Sequence, residues 1–142
     1  MPSPDAPLHG SCMCGHVRFR VTAPFRTAGY CHCTRCRRRT GAMWSLNGSV
    51  GADAFELLGG EDAVQTWRPD DGQPKSFCLH CGGHVFSGDP AAGGVVGVRL
   101  GAVEGDPGIR PRWHQWVESA PPWEPLPDDG LPRFPRRREI DV

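Results

Sequence analysis

The chain reads as an all-β domain with few or no helices, and three observations carry that reading. Glycine and proline supply nearly a quarter of its 142 residues (19 Gly and 15 Pro), a composition that breaks helices and multiplies turns. Short apolar or β-branched runs recur along the chain, each bounded by glycine, proline or aspartate. No window of ten or more residues carries an apolar stripe at the helical period. A chain of this length fits one core.

The clearest element is a strand over His16–Thr22, where Val17, Phe19 and Val21 alternate with His16, Arg18 and Arg20 at period two. Further strands are expected over Gly29–His32, Ala42–Leu46, Ala54–Leu58 and Ala63–Trp67, then over Lys75–Phe77, His84–Ser87, Val95–Leu100 and Arg112–Val117. Arg35–Gly41 has room for a single helical turn. From Glu118 to Gly130 the chain is proline-rich, which predicts an extended segment lying on the domain.

Sixteen basic and sixteen acidic residues cancel, so the overall charge calls for neither nucleic acid nor an anionic membrane. Charge is instead local: residues 6–52 hold seven arginines and no acid, whereas 53–71 hold six acids and one arginine. No run approaches the roughly 18 apolar residues of a spanning helix. Met1 to Pro7 lacks the basic and apolar regions of an export signal, so a soluble, cytoplasmic protein is expected.

Seven cysteines in such a chain argue for metal ligation over a disulfide framework. None stands alone: the spacings are Cys12-x-Cys14, Cys31-x-Cys33-x-x-Cys36 and Cys78-x-x-Cys81. On an extended strand, residues i and i+2 face one side, so Cys12 and Cys14 can offer two thiolates to one ion. Cys78-Leu-His-Cys81, followed by Gly82-Gly83, has the spacing and the turn of a zinc knuckle. Together the two pairs make a closed four-thiolate zinc site that ties the N-terminal strand to the middle of the chain and substitutes for core. Buried small hydrophobes or redox pairs are the plainer alternative.

Cys31, Cys33 and Cys36 converge within six residues and leave no fourth cysteine for themselves. Three thiolates around zinc with an open position make a reactive site, at which a substrate thiol would be deprotonated. His32 or His114 could instead close the set, or two of the three could be free thiols; His32 is the weaker ligand because a strand points it away from its neighbours. Arg37, Arg38 and Arg39 follow Cys36, and Arg35 lies inside the motif. They suit carboxylate recognition, although a solvated basic turn has the same sequence. Trp44, Trp113, Trp116 and Trp123 suit a groove or, more simply, a core. His80 and His84, split by two glycines and lacking the glutamate of a zinc helix, read as loop histidines. No phosphate loop, dinucleotide fingerprint or serine nucleophile motif is present.

Three segments carry a family resemblance: Gly10-Ser-Cys-Met-Cys-Gly-His-Val-Arg-Phe19, Cys31-His-Cys-Thr-Arg-Cys-Arg-Arg38 with Gly41-Ala42, and Ser76-Phe-Cys-Leu-His-Cys-Gly82. They resemble the glutathione-dependent formaldehyde-activating enzyme family, which includes centromere protein V. The weaker Arg99-Leu-Gly101, His114 and Leu131-Pro-Arg-Phe134 extend the resemblance over about residues 10–134. A disordered leader over 1–9 and a frayed, arginine-rich tail over 135–142 are then expected. The resemblance implies a zinc-clamped, β-tent-like sheet domain. It also implies a structural zinc on Cys12, Cys14, Cys78 and Cys81 and a catalytic-type zinc on Cys31, Cys33 and Cys36. The implied activity is of the carbon–sulfur lyase type, joining formaldehyde to the thiol of glutathione, with Arg37 and Arg38 as substrate-binding candidates. The alternative is a non-catalytic zinc module that binds protein or nucleic acid through its arginine-rich surface.

Overall fold

A computed structural model describes residues 1–138. In chain order its strands are β1 (Leu8–Ser11), β2 (Arg18–Val21), β3 (Thr27–Cys31), β4 (Ser45–Gly51), β5 (Phe55–Gly59), β6 (Val64–Trp67), β7 (Lys75–Cys78), β8 (His84–Ser87), β9 (Val95–Arg99) and β10 (His114–Gln115). The one α-helix among the described residues, α1 (Thr34–Thr40), stands where a single helical turn was expected. It ends at Gly41, whose φ of 67° suits the left-handed cap. Strands β1, β2 and β5 form one sheet; the other seven form a second in the order β10-β3-β4-β9-β8-β7-β6. The all-β expectation holds.

Three strands differ from the sequence reading; of the expected Arg112–Val117 only His114–Gln115 is strand, and Val117 begins a 3-10 turn. Ala42–Leu46 was expected to be extended, but β4 begins only at Ser45 and runs on to Gly51, because the chain bends at Ala42 and Met43 on leaving the α1 cap. Strand β1 was not anticipated: its Leu8-His-Gly-Ser sequence shows no alternation, and its extended form comes from pairing with β2, Leu8 opposite Val21. Leu8 and His9 therefore belong to the sheet instead of a disordered leader over 1–9, and Pro2 is buried as well.

Register sorts the large sheet into two chemically distinct faces, since directly opposed residues point the same way. One face carries Ala28, Val50, Val96, Val98 and Phe86, which pack with Phe19, Val21 and Phe55 of the small sheet to make the core. The other carries Cys31 opposite Ser45, Asn47 opposite Arg99, Ser49 and Ser87 opposite Gly97, and Lys75 opposite Ser87. That face is polar from β3 to β7.

Trp113 covers the polar face at Gly29, and its indole N–H donates to Thr27 Oγ1 at 2.9 Å. A Cβ on Gly29 would lie 2.3 Å from the Trp113 ring. Gly29→Ala is expected to push the indole off the sheet and cost about 1–3 kcal/mol, read as a lower melting temperature.

Past β10, residues 132–134 return alongside it: the Phe134 N–H donates to the His114 carbonyl at 2.8 Å and the His114 N–H to the Pro132 carbonyl at 2.9 Å. The expected frayed tail, 135–142, is in part docked. The Trp116 N–H donates to the Arg136 carbonyl at 3.0 Å, and the Arg138 guanidinium sits 5.1 Å from the centre of the Trp113 ring. Residues 139–142 lie outside the described residues.

Candidate metal centres and the cavity beside them

The seven cysteines gather into two sets, Cys12, Cys14, Cys78 and Cys81 in one and Cys31, Cys33 and Cys36 in the other, each with its sulfurs within 4.8 Å of one another. The first set is built from two turns. Cys12 follows β1, and the chain turns back with the Gly15 N–H donating to the Cys12 carbonyl. Cys78 ends β7, and the Gly82 N–H donates to the Cys78 carbonyl at 2.8 Å across a turn that needs the φ of 75° at Gly82. Cys14 Sγ lies 3.7 Å from both Cys12 Sγ and Cys78 Sγ. Cys12 and Cys14 thus converge through a turn and not, as expected, through strand alternation. Cys78 is fully buried and, with Cys12, belongs to the core. Backbone N–H groups of Cys14 and Gly83 hold the Cys81 thiol down to about 6, in the range of a ready metal ligand.

The second set stands at the end of the polar face. Cys31 closes β3, Cys33 caps α1 with its sulfur accepting from the Cys36 N–H at 3.2 Å, and Cys36 lies in the first helical turn. Three mutually close thiols cannot share charge equally. Hydrogen bonds from Cys31 and Cys33 hold Cys36 down, while the same contacts and burial push Cys31 up. Among the described residues no fourth ligand joins this set.

The two histidines that stood as alternative ligands are engaged elsewhere. His32 Nε2 meets His114 Nδ1 at 2.8 Å, and His114 Nε2 meets the exposed Asp129 through Oδ2 at 2.8 Å, in a chain whose two imidazoles are buried and whose His114 ring stacks on Tyr30. Burial and the neighbouring His114 lower His32 to about 4, so it sits in the chain as a neutral ring. The His80 ring lies against His16, with ring centres 4.5 Å apart and the planes tilted by 35°.

Both donor sets suit a metal ion: four soft thiols make a closed tetrahedral set, and three leave one position for a ligand from outside. The open set is reached from two sides. Cys33 lines a groove of about 720 Å³ with Arg35, Arg38, Arg39, Trp67 and Trp116. Trp116 is the one non-glycine residue with positive φ among those described, at 58°. Cys31 and Cys36 line a cavity of about 350 Å³ on the polar face, with Asn47, Lys75, Arg99 and Trp113.

Of the two substrate-binding candidates, Arg38 lies in the groove, whereas Arg37 lines neither space and buries its Nε without a partner. Arg35 is paired with Asp71 at 2.8 Å. The residue missed by sequence reasoning is Arg99, buried and hydrogen-bonded through its guanidinium to Asn47. Its only sequence signal was the short Arg99-Leu-Gly101 segment. Lys75, the sole lysine, reaches the same cavity.

A family model described as glutathione-dependent formaldehyde-activating enzyme matches residues 7–119. The chain belongs to the glutathione-dependent formaldehyde-activating enzyme family. A Halomonas elongata protein described by the same family name is 32% identical over 123 residues, covering 82% of this chain and 78% of its own. A crystal structure of a Rhodobacter sphaeroides protein shares the fold, with a TM-score of 0.58 at 21% identity over 89% of this chain and 98% of that one. Both cysteine sets fall inside the family match. Among the described residues no helix is long and apolar enough to cross a membrane.

Proposed function

We propose that the chain is a zinc-dependent enzyme of the carbon–sulfur lyase type that acts on glutathione, or a related small thiol, and its aldehyde adduct. The observation that carries this reading is the three-thiol set with an open side, placed between two cavities in a chain of this family. Cys12, Cys14, Cys78 and Cys81 hold a structural zinc in this reading, and Cys31, Cys33 and Cys36 hold the reactive one. A zinc ion at the open set supplies Lewis acidity and favours the thiolate form of a bound thiol. In the reaction the thiol sulfur bonds to the carbonyl carbon of formaldehyde, the carbonyl π bond opens, and the thiol proton ends on the new hydroxyl. No oxidant or reductant is needed.

The chain's own contribution is position and field. Cys31 and Cys36 set the sulfur at the edge of the polar face, where Trp113 walls the cavity. Arg38, in the groove beside Cys33, offers a charge-assisted contact to a substrate carboxylate. Arg37 keeps the weaker claim, since it lines neither space.

Native mass spectrometry under reducing conditions, paired with formaldehyde consumption followed by NMR, tests the reading. Two zinc ions per chain, one of them responding to glutathione, with saturable thiol-dependent turnover, are expected. One zinc per chain, no turnover and salt-sensitive nucleic-acid binding would replace the enzyme by a binding module.

A further inference from the structure

The polar-face cavity holds more positive charge than its thiols balance. Arg99 is 8% exposed, and its Nε has no hydrogen-bond partner among the described residues. Burying a guanidinium with an N–H unpaired is costly unless an anion completes it. Lys75 shares the cavity; burial and the nearby Arg99 guanidinium lower its ammonium. Arg39 also feels both Arg99 and Cys36. Among the described residues no carboxylate lines the cavity, and neither Arg99 nor Lys75 forms an ion pair.

A charge count shows that the thiols alone do not explain these cations. Three thiolates around a divalent ion leave about one negative charge. Arg26, Lys75, Arg99 and Arg137 line the cavity and bring four positive ones, so an excess of about three faces the open set. Charge compensation of the cysteines would need only one of them.

We propose that Arg99 and Lys75 form a carboxylate clamp that selects anionic thiols over neutral ones. This rests on the enzyme reading above, and names what that site recognises beyond the sulfur. Asn47 fixes one end of the Arg99 guanidinium, which lines the cavity together with Lys75. The clamp lies on β7 and β9, whereas Cys31 closes β3 and Cys36 stands on α1, so thiol and carboxylate are read by residues of different elements.

Calorimetry on the zinc-loaded full chain separates the two parts. S-methylglutathione keeps both carboxylates and cannot offer a thiolate. It is expected to bind, to weaken about tenfold in Lys75→Gln and at least as much in Arg99→Gln, and to lose affinity with added salt. Glutathione diethyl ester, with the thiol free and the carboxylates blocked, is expected to bind more weakly than glutathione and to ignore both substitutions. Lys75 is only half-buried, so its variant stays informative if Arg99→Gln does not fold. Equal binding of S-methylglutathione to wild type and Lys75→Gln, or no binding to wild type while glutathione binds, overturns the clamp. Clamp-dependent binding without any formaldehyde turnover would instead sustain the clamp and overturn the enzyme reading.

Discussion

Cys78→Ser is expected to strip one metal ion from the chain and to unfold it at 37 °C. Cys78 is fully buried in the core, at the end of β7, and its set joins the turn after β1 to the turn after β7 across 64 residues of sequence. Closed zinc sites contribute apparent free energies of about 10–16 kcal/mol in small peptides, whereas a whole domain is stable by about 5–15 kcal/mol. Losing even part of the first quantity removes most of the second. Circular dichroism melts, with metal counted per chain, check this. A Cys78→Ser protein that melts like wild type with its full metal content would show that the four thiols do not clamp the sheets.

Cys33→Ser is expected to leave the fold standing and to lower thiol–aldehyde turnover by more than about 100-fold, beyond what disturbing a ligand's supporting contacts alone costs. The contrast comes from placement: the second set stands on the polar face, and Cys33 is only half-buried at the head of α1. Its sulfur accepts from the Cys36 N–H, a capping role that a serine hydroxyl fills well. The melting temperature should therefore stay within about 4 °C, the shift that roughly 1 kcal/mol produces in a domain of this size. Turnover near wild type with both metals retained would remove Cys33 from the reactive site. Unfolding like that of Cys78→Ser would make the second set structural as well.

Much of the site was legible in the chain because thiol chemistry is local. Cys31, Cys33 and Cys36 fall within six residues, and a C-x2-C pair followed by two glycines can hardly do anything but turn, so both groupings follow from spacing. The alternation of Phe19 and Val21 with two arginines likewise fixed β2, since only one face of that strand is buried. What failed was local geometry without a pattern: Leu8–Ser11 has no periodicity of its own, and β4 was placed too early because Ala42 and Met43 bend after the α1 cap instead of extending.

Composition, turn chemistry and cysteine spacing by themselves determined that this is a small all-β domain with two thiol sets, one of four and one of three. The register of the large sheet, which no short stretch encodes, decided the rest. Pairing Asn47 with Arg99, and Lys75 with Ser87, brings two cations from distant strands onto the face that ends at Cys31. The same registers turn Phe86 and Val98 inward, toward the core that also takes Cys78. Side chains on a strand alternate, so a slip of one residue would exchange the two faces. Long-range pairing therefore decides which thiol set becomes core and which one meets a substrate.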